Sequence, residues 1–139
     1  MRRFVIPLLL LCALIPGITL SAAHAQGTSQ GAPQGRKFVV FFEEWSAGID
    51  DIARGVILDA AQHALTVPRV SVQVTGFADP TGSRRANELL SQLRAQRVLD
   101  VLRDNGIAQA RITTAGKGPT AFALSPQESR RVEIFIPVK

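Results

Sequence analysis

The chain has 139 residues, 46% hydrophobic and 19% charged, with 16 Lys or Arg against 11 Asp or Glu. That length fits one small domain able to bury a core of its own. One cysteine, Cys12, and two histidines leave no ligand set for a metal and no cofactor to expect.

Arg2 and Arg3 precede an almost wholly apolar run from Phe4 to Leu20, and small residues then lead to Ala23-His24-Ala25. A basic start, an apolar middle and an A-x-A end are the parts of a secretory signal peptide, here residues 1–25. The alternative, a retained anchor, has a stretch at the short edge of what spans a bilayer, interrupted by Pro7, Pro16 and Gly17. Lipidation of Cys12 lacks the expected small residue ahead of it, since Leu9-Leu10-Leu11 precedes. Cleavage leaves 139 − 25 = 114 residues, no cysteine, no transmembrane segment, and a balance of 14 − 11 = +3 once Arg2 and Arg3 are gone. Acidic pairs, Glu43-Glu44 and Asp50-Asp51, interrupt the scattered basic residues. The basicity therefore does not read as a nucleic-acid surface, only as mild attraction to an anionic envelope.

Residues 26–36 are rich in Gly and Gln and read as a flexible leader, with order beginning at Lys37. Phe38–Phe42 is short and rich in aromatic and β-branched residues, which suits a strand buried on both faces. A helix follows from about Gly48 to Leu65, with Ile49, Ile52, Ala53, Val56, Ile57, Ala60 and Ala64 as its apolar stripe. Asp50 and Asp51 suit the positive end of its dipole. Val70–Phe77 alternates as a half-buried strand, and Asp79-Pro80-Thr81-Gly82 is a turn. A second helix runs from about Arg84 to Asn105, stopped by Asn105-Gly106. Strands near Arg111–Ala115 and Val132–Ile136 complete the chain, joined by a loop rich in Gly and Pro. The order βαβαββ predicts an α/β (α+β) two-layer sandwich, a mixed sheet with helices packed on one face.

On a helical wheel the second helix gathers Ala86, Leu90, Leu93, Val98 and Val101 on one side. Asn87 and Arg94 fall near the middle of that side and Ser91 at its edge. Polar groups on a core-facing stripe are costly unless paired. Asp79, in the turn before the helix, is the nearest carboxylate in reach of Arg94. Two readings stay open: an ion pair that ties strand to helix, or a pocket offering a carboxylate and a guanidinium to a zwitterionic ligand.

The segment Gly76-Phe77-Ala78-Asp79-Pro80-Thr81-Gly82, then Asn87, then Leu90-Ser91-Gln92-Leu93-Arg94-Ala95 and Val98, resembles the G-x-T-D-x-x-G…N-x-x-L-S-x-x-R-A-x-x-V signature of OmpA-like C-terminal domains. Arg130-Arg131-Val132-Glu133-Ile134 is similar to that family's closing strand, and the likeness covers about residues 38–138. Ala78 stands where the family usually has Thr, Ser129 where it has Asn or Asp, and the loop from Gly118 to Arg130 is short. The resemblance implies a domain, residues 37–139, that binds peptidoglycan through the diaminopimelate of its stem peptide. Asp79 would take the ammonium and Arg94 the carboxylate; Asn87 would support the pocket, and Arg130 would contribute from the last strand.

Other chemistry finds little support. His63 reads as a surface histidine, and Gly116-Lys117-Gly118 lacks the spacing of a phosphate loop. Trp45 suits either stacking on sugar or peptide, or packing. The reading is a non-enzymatic module of the periplasm or cell envelope, with outer-membrane association and envelope-protein partners left open. The alternative is an assembly adaptor of the same fold, with Asp79–Arg94 as a structural ion pair.

Overall fold

The computed structural model describes residues 34–120 and 125–138. The expected signal peptide, residues 26–33 of the expected leader, and part of the loop before Arg130 lie outside the described residues. Four strands and two long helices make up the described fold: β1 (Gly35–Phe41), α1 (Asp51–Thr66), β2 (Val72–Ala78), α2 (Arg84–Asp104), β3 (Ile112–Pro119) and β4 (Arg131–Pro137). A 3-10 turn at Gln109–Arg111 precedes β3, and a four-residue helix, α3 (Pro126–Ser129), precedes β4. No helix among the described residues is long and apolar enough to cross a membrane.

The sheet runs β1-β4-β2-β3. β2 and β3 are parallel, as a helical crossover requires, whereas β4 inserts between β1 and β2 and is antiparallel to both. The expected mixed sheet, two-layered with its helices, is therefore the observed one. Alternation along β4 sends Val132, Ile134 and Ile136 into the core and leaves Arg131, Glu133 and Phe135 half-buried on the other face. Val40, Val72, Val74 and Ile112 face the same core, where they meet Ala53, Ile57, Ala60, Ala61 and Ala64 of α1 and Ala95, Val98, Leu99 and Leu102 of α2. The small residues of α1 let it lie close to the sheet.

Both long helices start on a side-chain cap. Asp50 accepts from the Ala53 N–H at 2.6 Å, and Ser83 accepts from the Ala86 N–H at 3.1 Å. Arg111 closes the other end of α1: its Nη2 donates to the Ala64, Val67 and Val70 carbonyls at 2.9–3.0 Å.

Several expectations shift. β1 is an edge strand, not one buried on both faces, and Phe41 is 45% exposed. It also begins two residues before Lys37, because Gly35 and Arg36 already pair with Pro137 and Ile136. Ile52, assigned to the apolar stripe of α1, is 82% exposed. On α2, Ala86 and Leu93 face out while Leu99 and Leu102 are buried. The buried stripe is Asn87, Ser91, Arg94, Ala95, Val98, Leu99 and Leu102, so the polar residues form its N-terminal half.

Candidate functional site

At the end of β2 the chain must pass under α2, and Gly76 makes that passage possible. A Cβ there would sit 2.0 Å from the Ser91 carbonyl oxygen, so the helix backbone occupies the space a side chain would need. One residue later the parallel ladder slips: Gly76 pairs with Gly116 and Ala78 with Pro119, which leaves Phe77 unpaired in that ladder. The Phe77 carbonyl takes a different donor, Arg94 Nη1, at 3.1 Å.

Arg94 is fully buried. Besides Phe77, its Nε donates to the Ser46 carbonyl at 2.8 Å and its Nη2 to the Glu43 carbonyl at 2.9 Å. Its guanidinium also lies 5.3 Å from the centre of the Phe42 ring. Three of its N–H groups thus tie the turn after β1 to the end of β2. Burial pushes its pKa down to about 10, against the upward pull of Asp79; the approach of Arg130 lowers it too. It remains a cation at neutral pH.

Asp79 follows the bulge and is 6% exposed. Its Oδ1 accepts from both the backbone N–H and the hydroxyl of Thr81, an Asx turn that the Pro80-Thr81 sequence favours. Its Oδ2 faces Arg130 Nη1 at 3.5 Å. Burial works to raise its pKa, but the bonds from Thr81 and the Arg130 guanidinium outweigh it and hold the carboxyl below its ordinary value. The ion partner of Asp79 is therefore Arg130 and not Arg94, which corrects the pairing expected from the wheel. The reason is that backbone carbonyls take the place of a carboxylate: the bulge offers Arg94 that of Phe77, and the turn after β1 offers those of Glu43 and Ser46.

Asn87 is buried and donates to the Thr81 carbonyl at 2.7 Å, fixing the Asp79 turn from the helix side. Arg130 enters after α3, a single turn stabilised by a capping box between Ser125 and Glu128 with Pro126 at its start. Its side chain is 13% exposed; besides Asp79 it donates to Gln127 Oε1 at 2.8 Å. Ser91 accepts from the Gly118 N–H at 2.9 Å and donates to the Glu88 carbonyl, joining α2 to the end of β3. Asp79, Asn87 and Arg130 thus form one bonded cluster, with Arg94 coupled to it through charge. Two clefts flank this region, of about 550 Å3 beside Ile49 and Leu93 and about 280 Å3 between β1 and α1; neither is lined by Asp79, Arg94 or Arg130. Sequence reasoning missed Thr81, whose offset of two from Asp79 was the available signal. It also missed the Glu43 and Ser46 carbonyls, for which no side-chain pattern exists. His63 of α1 rests against the Phe38 ring, 6.1 Å between centroids, away from this cluster.

The OmpA family model matches residues 41–132, about two thirds of the chain and every residue of this cluster. The chain belongs to the OmpA family. Among curated relatives, the probable lipoprotein YiaD of Escherichia coli (strain K12) is 33% identical over 103 residues, 70% of this chain and 47% of YiaD. The peptidoglycan-binding protein ArfA of Mycobacterium tuberculosis (strain ATCC 25618 / H37Rv) is 39% identical over 75 residues, 50% of this chain and 23% of ArfA. The matched segments span less than half of these relatives. The crystal structure of the peptidoglycan-associated lipoprotein from Burkholderia pseudomallei superposes with a TM-score of 0.67 at 23% identity, over 71% of this chain and 89% of that one, which establishes the shared fold.

Proposed function

We propose that this chain is a non-enzymatic module of the cell envelope that holds peptidoglycan non-covalently, by recognising the diaminopimelate of the stem peptide. The observation that carries the reading is the charge arrangement at the end of β2. Asp79 is kept ionised inside a nearly closed turn, with one guanidinium beside it and a second, Arg94, buried behind it. One carboxylate with two guanidinium groups complements a ligand that carries an ammonium and more than one carboxylate, as a stem peptide does. Asp79 takes the ammonium, displacing its long contact to Arg130. The freed Arg130 then meets a ligand carboxylate, while Arg94, held by the Glu43, Ser46 and Phe77 carbonyls, adds its charge from behind and the N–H groups those bonds leave unused. Asn87 keeps the Asp79 turn in place. Membership of a family with a peptidoglycan-binding relative supports the wall as ligand. The N-terminal signal pattern supports export to the periplasm, where that ligand lies.

The test is co-sedimentation of the chain with purified diaminopimelate-type sacculi, beside Asp79→Asn, Arg130→Ala and Arg94→Lys, with circular dichroism on each. Wild type pelleting, and folded Asp79→Asn staying in the supernatant, is the expected outcome. Wild type in the supernatant refutes the reading, and the adaptor alternative then gains.

A further inference from the structure

Trp45 sits in the left-handed region at φ 53°, the one described non-glycine residue to do so. For a bulky side chain that conformation costs about 1 kcal/mol or more. The core gains little in return, since Trp45 is 53% exposed. Yet the fold holds the turn firmly. Arg94 grips the carbonyls of Glu43 and Ser46 on either side, the Ser46 N–H donates to the Glu43 carbonyl at 3.3 Å, and the Ser46 hydroxyl accepts from Gly48 N–H at 2.9 Å.

The indole is aimed at the other loop of the site. A Cβ on Gly82 would lie 2.5 Å from Trp45 Cη2 and 3.1 Å from Cζ2, so the ring rests on the bare backbone of Gly82. Gly82 is itself left-handed, at φ 83°. It ends the turn that begins at Asp79, whose carboxylate caps Thr81 between them. An open aromatic surface thus stands beside a nearly enclosed carboxylate, and Arg94 fixes the backbone that presents it.

We propose that Trp45 is a contact residue of this site, a platform for the aliphatic chain of a diamino acid whose ammonium is held by Asp79. The inference rests on the function proposed above and adds a specificity element to it. An ammonium at Asp79 must carry methylene groups with it, and the exposed indole is the apolar surface beside that turn. Its negative face also favours the cationic end of the same ligand. Arg94 is then a positioning residue for Trp45 as well as a charge.

Trp45 is the sole tryptophan, so its emission reports on this surface alone. The full chain is titrated with L-alanyl-γ-D-glutamyl-meso-diaminopimelate, with the same tripeptide ending in alanine, and with the peptide-free disaccharide. Emission and binding heat are both recorded. The diaminopimelate peptide is expected to shift the emission and the other two to leave it unchanged. Trp45→Ala should lose about tenfold in affinity, the loss expected for two methylenes returned to water. Trp45→Gly, which relieves the left-handed backbone, should raise Tm while weakening binding, a split that a packing role does not produce. Binding heat with unchanged emission and unaltered Trp45→Ala affinity overturns the platform and leaves the Asp79 reading standing. An emission response to the disaccharide alone overturns it in favour of glycan contact. Absence of tripeptide binding overturns it too, and sedimentation with sacculi then decides whether the site reading survives.

Discussion

Arg94 and Glu43 lie 51 residues apart in the chain, and Arg94 Nη2 donates to the Glu43 backbone carbonyl at 2.9 Å. A fully buried cation serves here as the clamp between two loops, a task that falls elsewhere to a disulfide and that this chain, whose one cysteine is Cys12, gives to a side chain. Burying a guanidinium is tolerable because three of its N–H groups meet carbonyl oxygens and Asp79 lies close enough to favour its charge.

Replacing that clamp should therefore be costly. Arg94→Met keeps much of the volume but removes every donor, and is expected to lower stability by about 3 kcal/mol. Arg94→Lys keeps the charge but cannot reach three divergent carbonyls at once, and should lie between Met and wild type. Urea denaturation of the three proteins measures the order. Equal stability of Lys and wild type would mean that charge, not the forked geometry, is what the site needs.

A second expectation concerns the floor of the site. Gly76→Ala places a methyl group where the Ser91 carbonyl lies, and neither β2 nor α2 can move without disturbing the core. A loss of about 2–3 kcal/mol follows from overpacking of this kind. Gly55, on the open side of α1, is different: a methyl group there would meet nothing within 4 Å. Gly55→Ala should instead stabilise by about 0.5–1 kcal/mol, because alanine is the better helix former. Thermal unfolding of the pair separates close approach from simple helix propensity.

How far the sequence disclosed this arrangement varies from residue to residue. Strand and helix order was legible because apolar periodicity switches cleanly between two and about 3.6 residues. The polar positions on the buried side of α2, Asn87, Ser91 and Arg94, stood out for the same reason: periodicity marks a stripe, and three members broke its chemistry. The phase of the wheel was less legible. Leu93 counted as core on hydrophobicity, yet it is 47% exposed, because the stripe follows the sheet and the Phe77 bulge, not the greatest apolar sum. α3 escaped periodicity altogether, being four residues long, although Ser125-Pro126-Gln127-Glu128 spells its capping box. The partners of Arg94 were beyond reach, since backbone carbonyls carry no residue code.

Ser91 offers a narrower test. Its hydroxyl supplies the acceptor for the Gly118 N–H, and Gly118 is buried beneath α2. Ser91→Ala removes the acceptor without adding volume, leaving a buried donor unpaired. A loss of about 1–2 kcal/mol is expected. Amide hydrogen exchange should localise the effect: faster exchange at Gly118, with the Val72–Gly76 ladder unchanged. Exchange rising equally through β2 would mean that Ser91 supports the sheet as a whole.

The acid side of the stability profile should carry the signature of Asp79. Its carboxyl titrates lower in the folded chain than its ordinary value, because Thr81 and Arg130 favour the charged form more than burial opposes it. A depressed acid contributes stability that is fully present above the unfolded pKa, about 3.9. That contribution is lost as pH falls from there through the folded value. Glu133, held low against its own burial by Arg131 and Lys37, adds a parallel loss in the same range. Asp79→Asn cannot ionise, so its unfolding free energy should lie below that of wild type at pH 7. The two curves should then converge as the pH is lowered through the carboxylate range. Glu133→Gln should flatten the remaining slope without touching sacculus binding, because Glu133 lies on the sheet face away from α2. Urea midpoints of the three proteins between neutral and strongly acid pH provide the comparison. Wild type and Asp79→Asn running parallel down to the acid limit would show that Asp79 gains nothing from its charge in the folded chain.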